Sequence, residues 1–461
     1  MKPQNGEQVY KLIHSQEMVQ FMWKYSVHKQ STQIPLAIAF NEELDFRILA
    51  RAVNIELQRN DCLRLRIFRE GRKIKQFFLS EYKLDKILIK DFSSKEEQTE
   101  YFDKVASTRL DVFGGEICRI IFFRTFDKKC GIFLSVSHMM MDFVAAFMFF
   151  KDLMAVYDSL KDGTPMPRPL AKYEDIIAKE QDNPELEERI ERETQILDEW
   201  VAKDRVPFYN AVNGTRVLDM QRKLLHKRDM NMPHIYLPVL DSTNLIKCHL
   251  SYEDSAEISA FIKENNLSPE WVIQLGFRIY LSKLNRHTND TLFWVLCPRR
   301  RTVKEKRCGG TLASPMPWRE ILDDNKSFRD TVSQLSESQI FLFRHCDVPF
   351  TSVRQMEIDR YGLSLMQTAN SMMFSYLPAG ESAFGDREYQ FSAYNFGYYV
   401  MPLYTLTMQE AATGRFVFSY IHRTLLTKDE EIYSFHNGVV RTILAGIRNP
   451  DKTIGEILEE I

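Results

Sequence analysis

The sequence predicts an α/β protein built from two halves of similar construction. Between residues 34 and 136, short apolar runs of strand length alternate with segments whose apolar residues recur at helical spacing. A stretch with several prolines and then many charges interrupts this pattern between residues 163 and 213. The alternation resumes from residue 245 to residue 446 without visible sequence repetition. We therefore expect two similar layers that face one another, with a cleft of the kind that small molecules occupy.

The first half begins with a strand, a helix and a second strand. The helix is indicated by Leu49, Val53 and Leu57, which fall on one helical face. The predicted elements of this half are helices at 45–58 and 95–109 and strands at 34–40, 63–68, 117–124 and 131–136.

The stretch 133–157, FLSVSHMMMDFVAAFMFFKDLMAVY, dominates this half. A strand-length run is followed by a segment so apolar on all sides that only a buried helix suits it. Residues 137–142 are then a tight strand-to-helix turn, with Asp142 at the N-cap position. His138 on such a turn is rigidly aimed, as general acid/base catalysis requires. The alternative is a hydrogen-bonded core histidine without a catalytic role.

The second half opens after the connection marked by Pro165, Pro167 and Pro169. We predict one division of the chain, into residues 1–175, which carry His138, and residues 176–461. A charged helix at 184–203 is interpreted as a solvated face. The other predicted elements are helices at 254–264, 269–284, 328–344 and 428–446 and strands at 245–252, 291–297, 371–376, 404–407 and 415–420.

Composition excludes several classes of protein. Lys and Arg number 61 against 63 Asp and Glu, so no global field favours nucleic acid or an anionic membrane. The 7 cysteines are scattered without a CxxC pair, which argues against a disulfide framework and against a metal site. The N-terminus lacks the apolar core of a signal peptide, and the apolar run at 143–150 is far shorter than the roughly 20 residues that span a bilayer. A cytoplasmic protein without a membrane span is expected.

Five short segments, in this order along nearly the whole chain, resemble the motifs of the condensation domains of nonribosomal peptide synthetases. Each is weak alone, and their order and spacing make the resemblance specific. RNDCLRL at 59–65 resembles the family motif RHExLRT, and SHMMMDF at 137–143 resembles HHxxxDG. YEDI at 173–176 resembles YxDFxxW, and the segment 309–319 resembles IGxFVNTLPLR. HCDVPF at 345–350 resembles HQDxPFE.

This resemblance implies two subdomains, each like chloramphenicol acetyltransferase, arranged as a V-shaped pseudo-dimer with a central tunnel and His138 midway along it. An acyl group would enter from one face as a thioester on the phosphopantetheine arm of a carrier protein, or as acyl-CoA. A small amine or alcohol acceptor would enter from the other face. No permanently bound cofactor, no metal and a monomeric, free-standing domain are expected.

The resemblance also assigns site residues. His138 and Asp142 are the catalytic motif, with His138 as the base and Asp142 expected to hold the turn through a buried pair with Arg301. An equal alternative is that Arg301 belongs to a solvated basic run at 299–301. The residues expected to line the tunnel or contact substrate are Ser137, Phe143, Ser314, Tyr394 and Gly397.

Two positions depart from the family motif. Ser137 stands where the family has its first histidine, which related HxxxD acyltransferases also lack. Phe143 stands where the family has glycine. Glycine tolerates positive φ and lets substrate approach the backbone, whereas phenylalanine fills that space. Phe143 would narrow the donor channel, select a particular acyl group, or mark an inactive descendant, although its backbone N–H stays available as an oxyanion donor.

Three functions follow from these residues. The leading hypothesis is a condensation-type acyltransferase that joins a carrier-bound acyl thioester to an amine in nonribosomal peptide or related secondary-metabolite biosynthesis. An O-acyltransferase that forms an ester is the first alternative, because His138 would serve either nucleophile. The second is a non-catalytic module that binds carrier proteins, which only Ser137 and Phe143 favour. The identities of the donor, the acceptor and the carrier lie beyond sequence reasoning.

Overall fold

The computed structural model divides the chain into two units of helices and strands. The first unit comprises Met1–Arg189, Pro298–Ser314 and Gly380–Tyr398, and the second comprises Ile190–Cys297, Pro315–Ala379 and Tyr399–Ile461. The structure describes all residues except 1, 4–5, 203–205, 236–240, 369–371, 378–383, 386, 396, 398–400 and 411–412, together with the side chain of residue 202.

Helices and strands alternate along most of the chain. Up to residue 181 they are β1 (Tyr10–Lys11), α1 (His14–Tyr25), β2 (Gln33–Phe40), α2 (Phe46–Arg59), β3 (Leu65–Glu70), β4 (Lys73–Phe78), β5 (Leu88–Asp91), α3 (Lys95–Ser107), β6 (Cys118–Arg124), β7 (Cys130–Ser137), α4 (Phe143–Asp162) and α5 (Tyr173–Gln181). Two short 3₁₀ turns, Lys29–Thr32 and Asp61–Arg64, precede β2 and β3.

The remaining elements follow in chain order. They are α6 (Leu186–Ala202), α7 (Arg216–Leu224), β8 (Thr243–His249), α8 (Tyr252–Glu264), α9 (Pro269–Leu284), β9 (Asp290–Cys297), α10 (Val303–Lys306), β10 (Ser314–Ile321), α11 (Phe328–Arg344), α12 (Phe350–Tyr361), β11 (Met372–Leu377), β12 (Tyr389–Ala393), β13 (Leu403–Gln409), β14 (Phe416–Arg423), α13 (Asp429–Arg448) and α14 (Ile454–Glu460).

The predicted elements are confirmed, with shifts of a few residues at their ends. The helices predicted at 269–284 and 328–344 coincide with α9 and α11. The strand predicted at 245–252 ends earlier, because Ser251 caps α8 and its hydroxyl accepts the N–H of Asp254. Residue 371, in the strand predicted at 371–376, lies outside the described residues.

The five-stranded sheet of the first unit, in the order β12-β2-β7-β6-β5, has helices on both faces. Leu36 of β2 and Leu134 of β7 lie in a core cluster with α2 and α4. Their neighbours Ala37 and Phe133 lie in the other cluster, with Phe102 of α3. Successive side chains of a strand point to opposite faces, so a strand covered on both sides is apolar throughout. The continuous apolar run that leads to His138 has this cause.

The division of the chain differs from the predicted single boundary after residue 175. The first unit continues to Arg189 and also takes in Pro298–Ser314 and Gly380–Tyr398. In the last of these segments, β12 pairs antiparallel with β2, with Phe391 opposite Ile38. Backbone pairing between strands so far apart in sequence has no local signature, which is why a composition change could not mark it.

The second unit contains a six-stranded sheet in the order β10-β9-β11-β13-β14-β8. Helix α9 is buried along most of its length and lies against α13. Gly438 of α13 permits this contact, since a Cβ there would lie 1.9 Å from the ring of Tyr280. No helix within the described ranges is both long and apolar enough to cross a membrane.

Strand β7 leads directly into the turn that carries His138. Near the start of β7, Gly131 lies opposite Phe123 of β6. A Cβ on Gly131 would lie 2.2 Å from the Phe123 ring. We expect Gly131→Ala to lower the free energy of unfolding by about 1–3 kcal/mol, as overpacking does. Denaturant unfolding of Gly131→Ala, Phe123→Leu and the double variant checks this. The double variant should cost less than the sum of the two single changes, and strict additivity would contradict the clash.

Candidate active site

The turn that carries His138 is held by backbone hydrogen bonds on both sides. The Ser137 carbonyl accepts the N–H of Met140 at 2.9 Å and of Met141 at 3.2 Å, and the Ser137 hydroxyl accepts the N–H of Met139 at 3.3 Å. The N–H of His138 donates to the carbonyl of Thr32 at 2.8 Å. The predicted strand-to-helix turn is therefore present, and Ser137 contributes to its closure.

A second segment of the first unit lies alongside this turn. Thr311 donates its hydroxyl to the carbonyl of His138 at 2.7 Å, and its N–H to the carbonyl of Met140 at 3.0 Å. Gln16 of α1 donates its amide to the carbonyl of Met139 at 2.8 Å. Every peptide carbonyl from His138 to Met140 thus has a donor, which restrains the backbone that positions the imidazole.

The imidazole of His138 is partly buried. Its Nδ1 is enclosed and has no hydrogen-bond partner within the part of the chain that the structure describes. Burial lowers the pKa of His138 below its usual 6.5, while the charge of Asp142 and the residue's own backbone carbonyl act in the opposite direction. His138 is therefore a neutral imidazole at pH 7, and Nε2 is the nitrogen that can exchange a proton with a ligand.

Asp142 is buried, and protein donors surround its carboxylate. Oδ1 accepts the N–H of Ala145 at 2.8 Å, and Oδ2 accepts the N–H groups of Leu312 at 2.8 Å and Ala313 at 3.0 Å. The guanidinium of Arg300 contacts both oxygens, at 2.9 and 3.0 Å. Burial raises the pKa of Asp142, but Arg300 and the three amides outweigh it and hold the pKa below its usual value. The carboxylate is thus an ionised N-cap of α4.

Arg300 has further partners around this carboxylate. Its Nη1 donates to the carbonyl of Cys308 at 2.7 Å, and its Nη2 donates to the carbonyl of Gly310 at 2.8 Å. A guanidinium presents five N–H donors in a rigid fork, so one side chain can hold Asp142 and fold the loop of residues 300–310 around itself. Arg300 therefore joins the start of α4 to a segment distant in sequence.

The predicted partner of Asp142 was Arg301, and the structure assigns this contact to Arg300 instead. Arg301 is exposed, and its N–H donates to the Glu305 carboxylate at 2.9 Å. Thr302 and Glu305 form a capping box at the start of α10. A capping box is visible in sequence as Ser or Thr followed three residues later by Glu, and it would have placed Arg301 in the exposed approach to this helix.

Two predicted substrate residues lie next to these contacts. Ser314 follows directly after the Asp142-binding amides and is buried, and its hydroxyl has no partner among the residues described. Phe143 is the first residue of α4, and its ring meets that of Phe391 of β12 edge-on at 5.4 Å. Phe143 is only partly buried, so part of the side chain is exposed.

Tyr394 and Gly397 have other surroundings. Tyr394 is buried in the core cluster on the α3 side of the sheet, 5.1 Å from the ring of Phe102, and its hydroxyl accepts the Gln98 amide at 3.1 Å. Gly397 has φ 75° and donates its N–H to the side chain of Asn395 at 2.9 Å. These contacts are structural, and the assignment of both residues to the tunnel stays a prediction.

Several supporting residues were not identified from sequence. Gln16 and Thr32 each form one hydrogen bond with the turn and Thr311 forms two, and nothing in their local sequence marks them. Among the residues that the structure covers, no group of three or more His, Cys, Asp or Glu side chains could hold a metal ion.

Arg300→Ala should lower the free energy of unfolding by about 3–5 kcal/mol, because it leaves the Asp142 carboxylate buried without its cation. The adjacent Arg301→Ala is the matched control and should cost far less, as exposed charges do. Thermal unfolding of the two variants checks this, and equal melting temperatures would contradict the assignment.

The pH dependence of the same contact has a definite sign. Because the folded protein lowers the pKa of Asp142, its charge stabilises the fold above the unfolded value of about 3.9 and loses this effect as pH falls through the lower folded pKa. The stability difference between wild type and Asp142→Asn should therefore be largest near neutral pH and shrink at pH below about 4. A constant difference across this range would show that Asp142 is protonated in the fold.

This chain is similar in sequence to known proteins. Residues 6–195 match the sequence family described as the condensation domain. A plipastatin synthase protein of Bacillus subtilis (strain 168) is 21% identical over 469 aligned residues, covering 98% of this chain and 17% of that protein. Surfactin synthase subunit 2 of the same organism is 19% identical over 362 residues, covering 78% of this chain and 9% of that protein. The chain spans only a small fraction of these relatives.

Solved structures agree over almost the whole chain. The first condensation domain of the calcium-dependent antibiotic synthetase, in complex with substrate analogue 3a, aligns with a TM-score of 0.81 at 14% identity, covering 98% of this chain and 99% of that one. The condensation domain from Monacolin K polyketide synthase aligns with a TM-score of 0.78 at 13% identity, covering 98% and 100%. The predicted fold class, two chloramphenicol acetyltransferase-like subdomains, is confirmed. The chain therefore has the fold of condensation domains, and its residues 6–195 match the condensation-domain family.

Proposed function

We propose that this chain joins an acyl group, carried as a thioester on a phosphopantetheine arm, to an amine, and forms an amide in nonribosomal peptide or related secondary-metabolite biosynthesis. The observation that carries this proposal is the state of His138. Its N–H and carbonyl are both fixed, at 2.8 Å to Thr32 and 2.7 Å to Thr311, while its imidazole is only partly buried. A neutral, rigidly held imidazole suits a general base.

In the proposed reaction the amine nitrogen attacks the carbonyl carbon of the thioester. The tetrahedral intermediate then collapses, the C–S bond breaks and the new C–N bond remains. Nε2 of His138 accepts the proton lost by the amine and returns it to the departing thiolate. The lowered pKa of His138 keeps the imidazole unprotonated at pH 7 and ready for the first of these transfers.

Two groups are available to stabilise the oxyanion. The backbone N–H of Phe143 lies in the first turn of α4, where amides have no partner within the helix. The Ser314 hydroxyl is buried and has no partner in the described part of the chain. A hydrogen-bond donor that is already free of water needs little reorganisation of its surroundings when the oxyanion forms. We assign both to this role and keep the Asp142 carboxylate, whose oxygens face protein donors, as the group that holds the turn.

The donor is expected to be an acyl carrier or peptidyl carrier protein. Relatives named as synthases of plipastatin and surfactin support a carrier-bound thioester. A neighbouring structure, a mutant starter condensation domain of rhizomide synthetase in complex with C8-CoA and Leu-SNAC, supports acyl-CoA as the other source.

Cysteines that are all free in the structure fit a reducing compartment such as the cytoplasm.

The class of reaction is tested with carrier proteins loaded with labelled acyl groups, mixed with this protein and pools of amines and alcohols. Intact-mass measurement follows the carrier and the product. An amide product supports the proposal, and an ester product assigns the chain to the O-acyltransferases instead. Carrier binding without transfer of any acyl group would identify a non-catalytic module.

His138→Ala should slow acyl transfer by about 10²–10⁴-fold, because a positioned general base contributes that much. Circular dichroism and the melting temperature should stay close to those of wild type. His249→Ala, on the exposed side of β8, is the control and should retain full activity. Turnover of folded His138→Ala within a factor of two of wild type would exclude the catalytic assignment.

The acid limb of kcat/KM gives an independent readout of the same residue. Because the pKa of His138 is lowered, the neutral base persists on acidification, and the midpoint of the limb should lie below pH 6.5. A midpoint above 6.5 would contradict the burial argument.

Phe143→Ala should widen tolerance for bulky acyl groups and leave the transfer of small ones largely intact, because it removes a partly exposed ring and keeps the backbone N–H. The matched control is Phe147→Ala, one turn along α4, whose ring contacts Phe384 at 5.6 Å. A panel of acyl thioesters of increasing size compares the three proteins. If wild type transfers none of them and Phe143→Ala transfers several, Phe143 is a block and the non-catalytic module becomes the better hypothesis.

A further inference from the structure

Two buried glutamine side chains form a closed amide pair beside the His138 turn. Gln16 Nε2 donates to Gln76 Oε1 at 2.7 Å, and Gln76 Nε2 donates back to Gln16 Oε1 at 2.9 Å. Both residues are enclosed, with 0% of their surface exposed. Water does not compete for these hydrogen bonds, so each one is strengthened by the low polarity around it. The pair therefore joins α1 to β4 through side chains.

The other hydrogen-bonding groups of the amide pair are also occupied. Gln16 Nε2 donates its second hydrogen to the carbonyl of Met139 at 2.8 Å, and Gln16 Oε1 accepts the N–H of Ile13 at 3.0 Å. Gln76 Nε2 donates its second hydrogen to the carbonyl of Lys11 at 2.7 Å. A primary amide has two N–H donors, and both amides use both of theirs. Turning either amide over would set its oxygen against a carbonyl, so these contacts allow one orientation only.

Gln76 lies on a strand whose backbone is paired on both sides. Strand β4 is the middle strand of the sheet β1-β4-β3, and Gln76 is opposite Tyr10 of β1. Gln16 lies in the first turn of α1, 123 residues before Met139. Hydrogen bonds to two neighbouring strands restrain the Gln76 backbone. Gln76 is therefore a fixed support, and Gln16 carries the connection from it to the residue that follows His138.

The position of the His138 ring depends on the backbone that carries it. A base of this kind is usually oriented by a partner on the second ring nitrogen, and Nδ1 of His138 has none among the described residues. Helix α1 restrains that backbone at two places. Gln16 binds the Met139 carbonyl, and the Ser15 hydroxyl donates at 2.8 Å to the carbonyl of Thr311, whose own hydroxyl binds the His138 carbonyl. Contacts to the backbone thus replace a contact to the ring.

We propose that Gln76 is a positioning residue for His138, which it holds through Gln16 and the Met139 carbonyl. This inference rests on the proposed function, in which Nε2 of His138 takes the proton of the amine. Without the Gln76 amide, Gln16 loses the acceptor and the donor that fix its own amide, and the Met139 carbonyl loses a fixed donor. The turn then has more than one arrangement open to it. A displacement of about 1 Å at a reacting group costs on the order of 10²-fold in rate.

Acyl-transfer kinetics and thermal unfolding, measured together, separate positioning from stability. Gln76→Met keeps the shape of the side chain and removes its amide, so kcat should fall about 10- to 100-fold with KM unchanged. The double variant Gln16→Met/Gln76→Met leaves neither amide unpaired and should regain part of the lost melting temperature, while kcat stays low. Gln274→Met is the matched control, because Gln274 of α9 is equally buried and has no partner in the described part of the chain; its kcat should equal that of wild type. A kcat that recovers with the melting temperature, or that falls equally in Gln274→Met, would overturn the inference.

Nuclear magnetic resonance of the full chain, with the histidine rings labelled, tests the link without any substrate. Burial lowers the pKa of His138 below 6.5 in the wild type. A turn that Gln76 no longer holds admits water to the ring, so the pKa of His138 should rise toward 6.5 in Gln76→Met and stay at the wild-type value in Gln274→Met. A rise of this kind in a protein that transfers no acyl group from any donor would reject the proposed function and keep the link from Gln76 to His138. An unchanged pKa in Gln76→Met would reject the link, and transfer that depends on His138 would still support the proposed function.

Discussion

The buried ion pair between Asp142 and Arg300 is the contact on which the candidate site depends. A carboxylate without solvent is costly unless cations and N–H groups replace the water it lost. Asp142 receives the Arg300 guanidinium and the amides of Ala145, Leu312 and Ala313. These donors come from two parts of the chain, since Arg300 is 158 residues from Asp142. The pair therefore closes the turn from the α4 side and fixes the segment around residue 311 against it.

That segment is held from its other side by close packing. A Cβ on Gly310 would lie 2.2 Å from the ring of Tyr173, so only glycine permits the approach. The hydroxyl of Tyr173 donates to the carbonyl of Thr311 at 2.9 Å. Asp61 accepts the N–H of Tyr173 at 2.8 Å and of Glu174 at 2.9 Å, and so caps α5. A continuous series of contacts runs from Asp61 to Thr311 and on to the carbonyl of His138. It joins four of the segments that resemble the family motifs.

Burial disfavours the charged form of both central residues of the motif, and the outcome differs between them. For Asp142, the opposing charge and amides exceed the cost of burial, and the carboxylate stays ionised. For His138, burial exceeds the attraction of Asp142, and the imidazole stays neutral. Asp142 thus carries a fixed negative charge that holds the turn, and His138 carries an uncharged imidazole, which the proposed function uses as a base. The difference arises from how many donors each side chain receives. A base whose position is fixed in advance is what the proposed transfer between two bound substrates would require.

The sequence by itself determined the parts of this protein that depend on local pattern. Strand-length apolar runs, helical spacing and an N-cap acid predicted β7, the turn with His138 and the buried helix α4, because these signals lie within a few residues of the structure they cause. Tertiary structure decided the partner of Asp142, since a shift of one residue between Arg300 and Arg301 separates a buried ion pair from an exposed side chain. It also brought β12 back to the edge of β2 and turned Tyr394 into the core. Such outcomes depend on pairing and packing between segments far apart in the chain, and the local sequence does not predict them.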